Sequence, residues 1–279
     1  DVRTAANGGR TPMYLACSLG HLDVAQWLYD NGGAEDVRTA SNGGCTPIYV
    51  ACHRGHLEVA QWLYDHGAAE DVRTATNDGF TPMLMACDYG LLEVAQWLFD
   101  HTAAEDVRTA DDDGNTPMSV ACENGNLDIA QWLFDNGAAD DVRAASSGGN
   151  TPMFKACKLR RLAVAQWLFG NGAAEDVRTP DEDGCTPMLL ACVNGYLEVA
   201  QWLFDHGAAE DVSTMSHYGM TPMNVACENG HLEVAQWLYY HGAADDAILV
   251  DQDCSSPVYT ACVEGNFEVA EWLVDHGAA

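Results

Sequence analysis

The sequence is short of positive charge. Its 279 residues carry 12 basic side chains against 42 acidic ones, a net charge of −30. Such a surface repels phosphate backbones and anionic headgroups, which argues against nucleic acid and membrane surfaces as partners. No apolar run approaches the ~20 residues that a membrane helix needs. No Asn-x-Ser/Thr site is present, and the eleven cysteines include no CxxC spacing. No Ser-His-Asp, Cys-His or Gly-rich phosphate signature stands out, so no catalytic centre, metal or cofactor is expected. Apolar residues make up 48% of the chain, enough for a folded core. No signal peptide is visible, and the chain opens on Asp1 rather than Met. With no obvious polar cap at either end, it reads as a segment of something longer.

What the chain has in abundance is period. Asp-Val-Arg-Thr-Ala and its variants begin at Asp1, Asp36, Asp71, Asp106, Asp141, Asp176, Asp211 and Asp246, a spacing of 35 residues. Positions are numbered 1 to 35 within each repeat. Pro, Ala, Ala and Leu hold positions 12, 16, 25 and 28 in all eight copies, and the eight tryptophans hold position 27. A fixed period of this size means stacked supersecondary units, none able to bury its apolar face alone. Each unit reads as two short helices and a loop. In the first, Thr11 caps a helix and Pro12 suits its first turn. Met13, Ala16 and Cys17 share one face, and Gly20 ends the helix. Leu22, Ala25 and Leu28 make the stripe of a second helix, widened by Val24 and Trp27. About a dozen turn-forming residues then lead to the next Thr-Pro.

This pattern resembles the ankyrin repeat. The family's Thr-Pro-Leu-His-x-Ala-Ala appears as Thr81-Pro82-Met83-Leu84-Met85-Ala86-Cys87, and its second-helix phrase as Gly55-His56-Leu57-Glu58-Val59-Ala60-Gln61-Trp62-Leu63. The resemblance implies an all-α solenoid of helix-turn-helix units with protruding finger loops. One array would run over 1–279, as repeats 1–35, 36–70, 71–105, 106–140, 141–175, 176–210, 211–245 and 246–279. It also implies a non-catalytic scaffold that binds another protein through a concave face of finger tips and inner helices. Two departures matter. The period exceeds the family's usual 33, and the phrase's His is absent throughout, so any tie it makes between repeats is replaced or missing.

The eight internal copies separate constant positions from variable ones. Variation concentrates at positions 6 to 8, 10, 14, 18, 19 and 21, which the resemblance maps to the concave face. In repeats 1 to 3, Tyr14, Leu19, Tyr49, Phe80, Leu84 and Tyr89 form a candidate partner-binding stripe, with His53 and Arg54 beside it. Packing of position 14 between inner helices is the competing explanation. In repeat 5, Lys155, Lys158, Arg160 and Arg161 gather four of the twelve basic residues, near Phe154. Phe154, Lys155, Lys158 and Arg161 make a second candidate contact, able to seat an acidic group or only to relieve local repulsion. The acidic tips Asp111-Asp112-Asp113 and Asp181-Glu182-Asp183 lack the alternation of a calcium loop and could meet a basic partner segment.

Eight cysteines, Cys17 through Cys262, recur at position 17 and read as small buried apolar groups too far apart to pair. Cys45, Cys185 and Cys254 stand outside the period. Free thiols in this number suit a reducing, intracellular compartment. Arginines at position 3, two residues after an Asp, are expected to form a ladder of loop ion pairs. A monomer is expected. A structural spacer without a specific face fits the repetition too.

Overall fold

The computed structural model describes residues 2–101, 104–250 and 255–277, with Ala104 and Glu105 described by backbone alone. Helices are the only extended elements among them: two α-helices in every repeat, and no strand beyond an isolated bridge between Ala6 and Arg10. The chain divides into two compact units, Asp1–Asp141 and Val142–Ala279.

The first unit carries helix pairs Pro12–Ser18 and Leu22–Leu28, Pro47–His53 and Leu57–Leu63, Pro82–Asp88 and Leu92–His101, and Pro117–Asn124 and Leu127–Leu133. The second carries Pro152–Lys158 and Leu162–Gly170, Pro187–Val193 and Leu197–Leu203, Pro222–Glu228 and Leu232–Tyr240, and Pro257–Val263 and Phe267–Asp275. Seven-residue helices are too short to stand alone. Each first helix therefore starts on a cap: the position-11 hydroxyl accepts the position-14 amide at 3.1 Å in Thr11 and 3.3 Å in Ser256. Each then packs on its partner and on the first helix of the next repeat within its unit. Met13, Cys17, Ile48, Cys52, Met118 and Leu133 are fully buried in the resulting seam.

The hairpin between the two helices needs a left-handed residue. Gly20, Gly55 and their equivalents supply it at φ 73 and 75°. A Cβ there would meet the position-21 side chain of the next repeat, His56 in the case of Gly20. That side chain ties successive repeats. Asn126 donates to the carbonyls of Cys87 and Asp88, and Asn266 to those of Cys227 and Glu228. His231 reaches the Val193 carbonyl at 3.0 Å. Position 21 thus ties neighbouring repeats, and its variation reflects joinery as well as exposure.

The tryptophan column also joins neighbours. Trp62 receives the edge of Tyr29 at 5.6 Å, and Trp202 that of Phe169 at 5.8 Å. His66 stacks on Trp62 and meets the Trp62 carbonyl at 2.7 Å through Nδ1. Asn136 donates its amide to the Trp132 carbonyl at the same distance, which assigns the donor role to Nδ1–H.

The connection after the second helix is more ordered than its composition suggests. Short helical turns such as Ala34–Val37 bury Asp36 and Val37. The arginine ladder runs from each repeat to the opening aspartate of the next. Arg3 pairs with Glu35 at 2.6 Å and with Asp36, the opening residue of the next repeat, at 3.2 Å. Arg38 pairs with Asp71 at 2.9 Å, Arg73 with Asp106 at 2.6 Å and Arg108 with Asp141 at 2.7 Å. In the second unit Arg143 meets Asp176 and Arg178 meets Asp211. The aspartates are buried, so these are not the weak exposed pairs expected of loops. Ser213 replaces the arginine before Asp246, whose carboxyl burial pushes up with only that hydroxyl to hold it down.

Candidate interaction grooves

In each first helix positions 18 and 19 turn away from the seam, while position 14 turns into it in every repeat but the last, where Tyr259 is exposed. Tyr49 is 4% exposed, Leu84 and Phe154 each 1%, and Tyr14 is buried as well. Lys155, at 7%, is buried despite its charge. The surface role expected of these five side chains therefore needs correcting. Tyr14, Tyr49, Leu84 and Phe154 are floor, not rim, because the capped first turn directs position 14 between neighbouring helices, and Lys155, one position on, is enclosed beside them.

Between successive first helices the rims leave grooves. The groove of repeats 1 and 2 holds about 280 Å³ and is walled by Arg10 and Ser18 on one side and Cys45, His53 and Arg54 on the other, over Tyr14 and Tyr49. Arg10 lies 6.0 Å from the centre of the Tyr14 ring. His53 stands edge-on to Tyr49 and 4.7 Å from Tyr89. Burial pushes the Tyr14 hydroxyl above its ordinary pKa, and the guanidiniums of Arg10 and Arg54 pull it back. Burial lowers the His53 pKa and Arg54 lowers it further, so His53 is neutral at pH 7. The groove's positive charge is that of its two arginines. Five of the sequence candidates, Tyr14, Tyr49, His53, Arg54 and Tyr89, thus come together. Leu19, 62% exposed, sits at the rim position of repeat 1.

The equivalent groove of repeats 3 and 4, about 330 Å³, is lined by Phe80, Leu84 and Met85 with Asp88, Asp111 and Glu123. Asp111 also shapes its finger, accepting the amides of Asp113 and Asn115 at 3.0 and 2.8 Å. In the second unit, the groove of repeats 7 and 8 is lined by Tyr218, Met220 and Tyr259 with Glu228 and Glu264. Position 15 contributes to all three grooves as Leu15 and Val50, as Met85 and Val120, and as Thr260. Sequence reasoning missed it, because its aliphatic residues look like core filler. Leu15 is 41% exposed, whereas Val50 and Val120 are buried.

In repeat 5, Lys158 and Arg161 are exposed, Phe154 lies beneath them in the core and Lys155 is enclosed. Arg160 takes the left-handed hairpin position at φ 58°, the one non-glycine residue with positive φ among those described. Its guanidinium lies 5.8 Å from the Tyr196 ring and 3.8 Å from the Glu198 carboxylate.

Burial disfavours the thiolate at the periodic cysteines of the core. Burial pushes Cys17, Cys52, Cys157 and Cys227 up to about 12. Cys45 and Cys185 are half-buried. Cys262, expected in the core with its period-mates, is exposed, and Cys254 lies outside the described residues.

Short capped helices, glycine hairpins and repeat-to-repeat joinery define an all-α repeat solenoid. The sequence profile described as "Ankyrin repeats (3 copies)" matches residues 33–111, 103–179, 139–213, 172–248 and 210–279, and the one described as "Ankyrin repeat" matches 8–42. The chain belongs to the ankyrin-repeat family. Comparison with curated proteins finds no match. Ankyrin repeats are generally protein–protein interaction modules, and proteins built from them are typically non-enzymatic scaffolds. No helix among the described residues is long and apolar enough to cross a membrane.

Proposed function

We propose that the chain is a non-catalytic scaffold, a single array over 1–279, that holds a partner protein along its finger tips and first helices. One observation carries this: the grooves stand on a constant floor plan, yet their rims differ from junction to junction. Leu19, Tyr89 and Tyr218 are each more than half exposed there, large apolar groups of the kind that anchor interfaces. Unpaired thiols support a reducing intracellular setting, and the net charge of −30 supports a protein partner rather than nucleic acid. The test compares proteins retained by the immobilised chain with those retained by a Leu19→Ser, Tyr89→Ser, Tyr218→Ser variant. A scaffold loses specific partners on substitution. Identical recovery would favour a spacer with no specific face.

A further inference from the structure

The chain's twelve basic residues are few enough to account for one by one. Six arginines serve the ladder, each bound to a buried aspartate of the next repeat. Four more basic residues belong to repeat 5. The remaining two, Arg10 and Arg54, both belong to the groove of repeats 1 and 2. Neither makes an ion pair among the described residues, although acidic side chains outnumber basic ones by 42 to 12. Chance placement in so acidic a chain would have put carboxylates beside them. Instead no acidic side chain lines this groove among the described residues, whereas the equivalent positions of the other two grooves carry Asp88 and Glu123, and Glu228 and Glu264.

We propose that the groove of repeats 1 and 2 is the anchoring subsite for an acidic side chain, Asp or Glu, of an extended partner segment, its carboxylate between Arg10 and Arg54. The proposal rests on the scaffold function above and specifies what the first groove selects. Guanidinium forks match a carboxylate, and the ring faces of Tyr14 and Tyr49 below them supply a low-dielectric floor that strengthens the contact. The exposed ring of Tyr89, beside His53, offers an apolar platform for the neighbouring residue of the segment. The same segment is turned away from the grooves of repeats 3 and 4 and of repeats 7 and 8, where its carboxylate would face carboxylates. Like charges thereby favour the first groove over those two.

The test is selection of a displayed library of random twelve-residue peptides on the full chain, followed by affinity measurement on the chain and on an Arg10→Glu, Arg54→Glu variant checked by circular dichroism. Recovered peptides are expected to share an acidic residue beside an aromatic or aliphatic one. The double reversal is expected to weaken them by about tenfold, and a peptide with that acid changed to Lys to regain binding on the variant. An Arg10→Gln, Arg54→Gln variant gives a smaller loss if the reversed pair perturbs folding. Peptides without a shared acid, indifferent to both arginine variants but lost on Tyr89→Ser, would overturn the acidic subsite and leave the scaffold function standing. No recovered peptide at all would overturn both. Tighter binding when phosphoserine replaces the acid would reassign the subsite to a phosphorylated segment and overturn the carboxylate assignment.

Discussion

Along one line through the repeats an arginine meets a buried aspartate 33 residues on, six times with little change. Along another, the groove rims carry two guanidiniums at one junction and three acidic side chains at the next groove described. The two regions share one backbone plan and differ in what constrains them. The seam and the ladder's aspartates are enclosed, so a change there leaves a cavity or a stranded charge. The rims are wet, so a change there alters what the surface attracts and little else. A buried line that repeats and an exposed line that diverges are what a holder needs if one architecture is to present several chemistries.

The sharpest break of that contrast is in the seam. Leu133→Ala, at a fully buried position, is expected to cost about 3 kcal/mol in chemical denaturation. In the ladder, Arg178→Ser removes the guanidinium that opposes the burial-driven rise in the Asp211 pKa, and is expected to cost about 2 kcal/mol. Arg160→Gly acts in the opposite direction. It restores the residue best suited to φ 58° and is expected to stabilise by about 1 kcal/mol, read as a higher Tm.

Asp246→Asn gives a smaller gain with a definite pH signature. Burial raises the folded pKa of Asp246, so the native state holds that proton more tightly than the unfolded chain does. Its stabilising contribution is full below the ordinary value of about 4 and is lost as pH rises through the raised value. The amide escapes that loss, so the variant should melt higher at pH 7, with the advantage gone below about pH 4. Last comes Tyr89→Ser at the rim, which should shift stability by less than about 0.5 kcal/mol while removing partner contact. A large loss of stability there would erase the distinction between the two regions.

Period, caps and hairpins were legible in the residues because each depends on neighbours within a few positions. Thr11 and Pro12 announce a helix start whatever lies elsewhere in the chain. The ladder was half legible. Its arginines stood out but their partners did not, because only the stacking of repeats brings Asp36 to Arg3. The grooves were legible in outline through Arg54, His53 and Tyr89. The floor was misjudged at Tyr49 and Phe154, because variation at position 14 looks the same whether a side chain faces water or fills a gap between helices of slightly different bulk. Lys155 was misjudged for a related reason: charge suggests exposure, yet a long aliphatic stem can be enclosed.

The ladder's reach has one more consequence. Each arginine looks to the opening aspartate of whatever unit comes next, and every unit opens on one. Excising residues 176–210 would bring Asp211 to Arg143 in place of Asp176, and the cut would heal with the same bond. Whole units can therefore be gained or lost by recombination without a mismatched splice, while a gain or loss of any other length would disturb the pair that spans it. The spacing of 35 is then enforced by a charge that must always find its opposite.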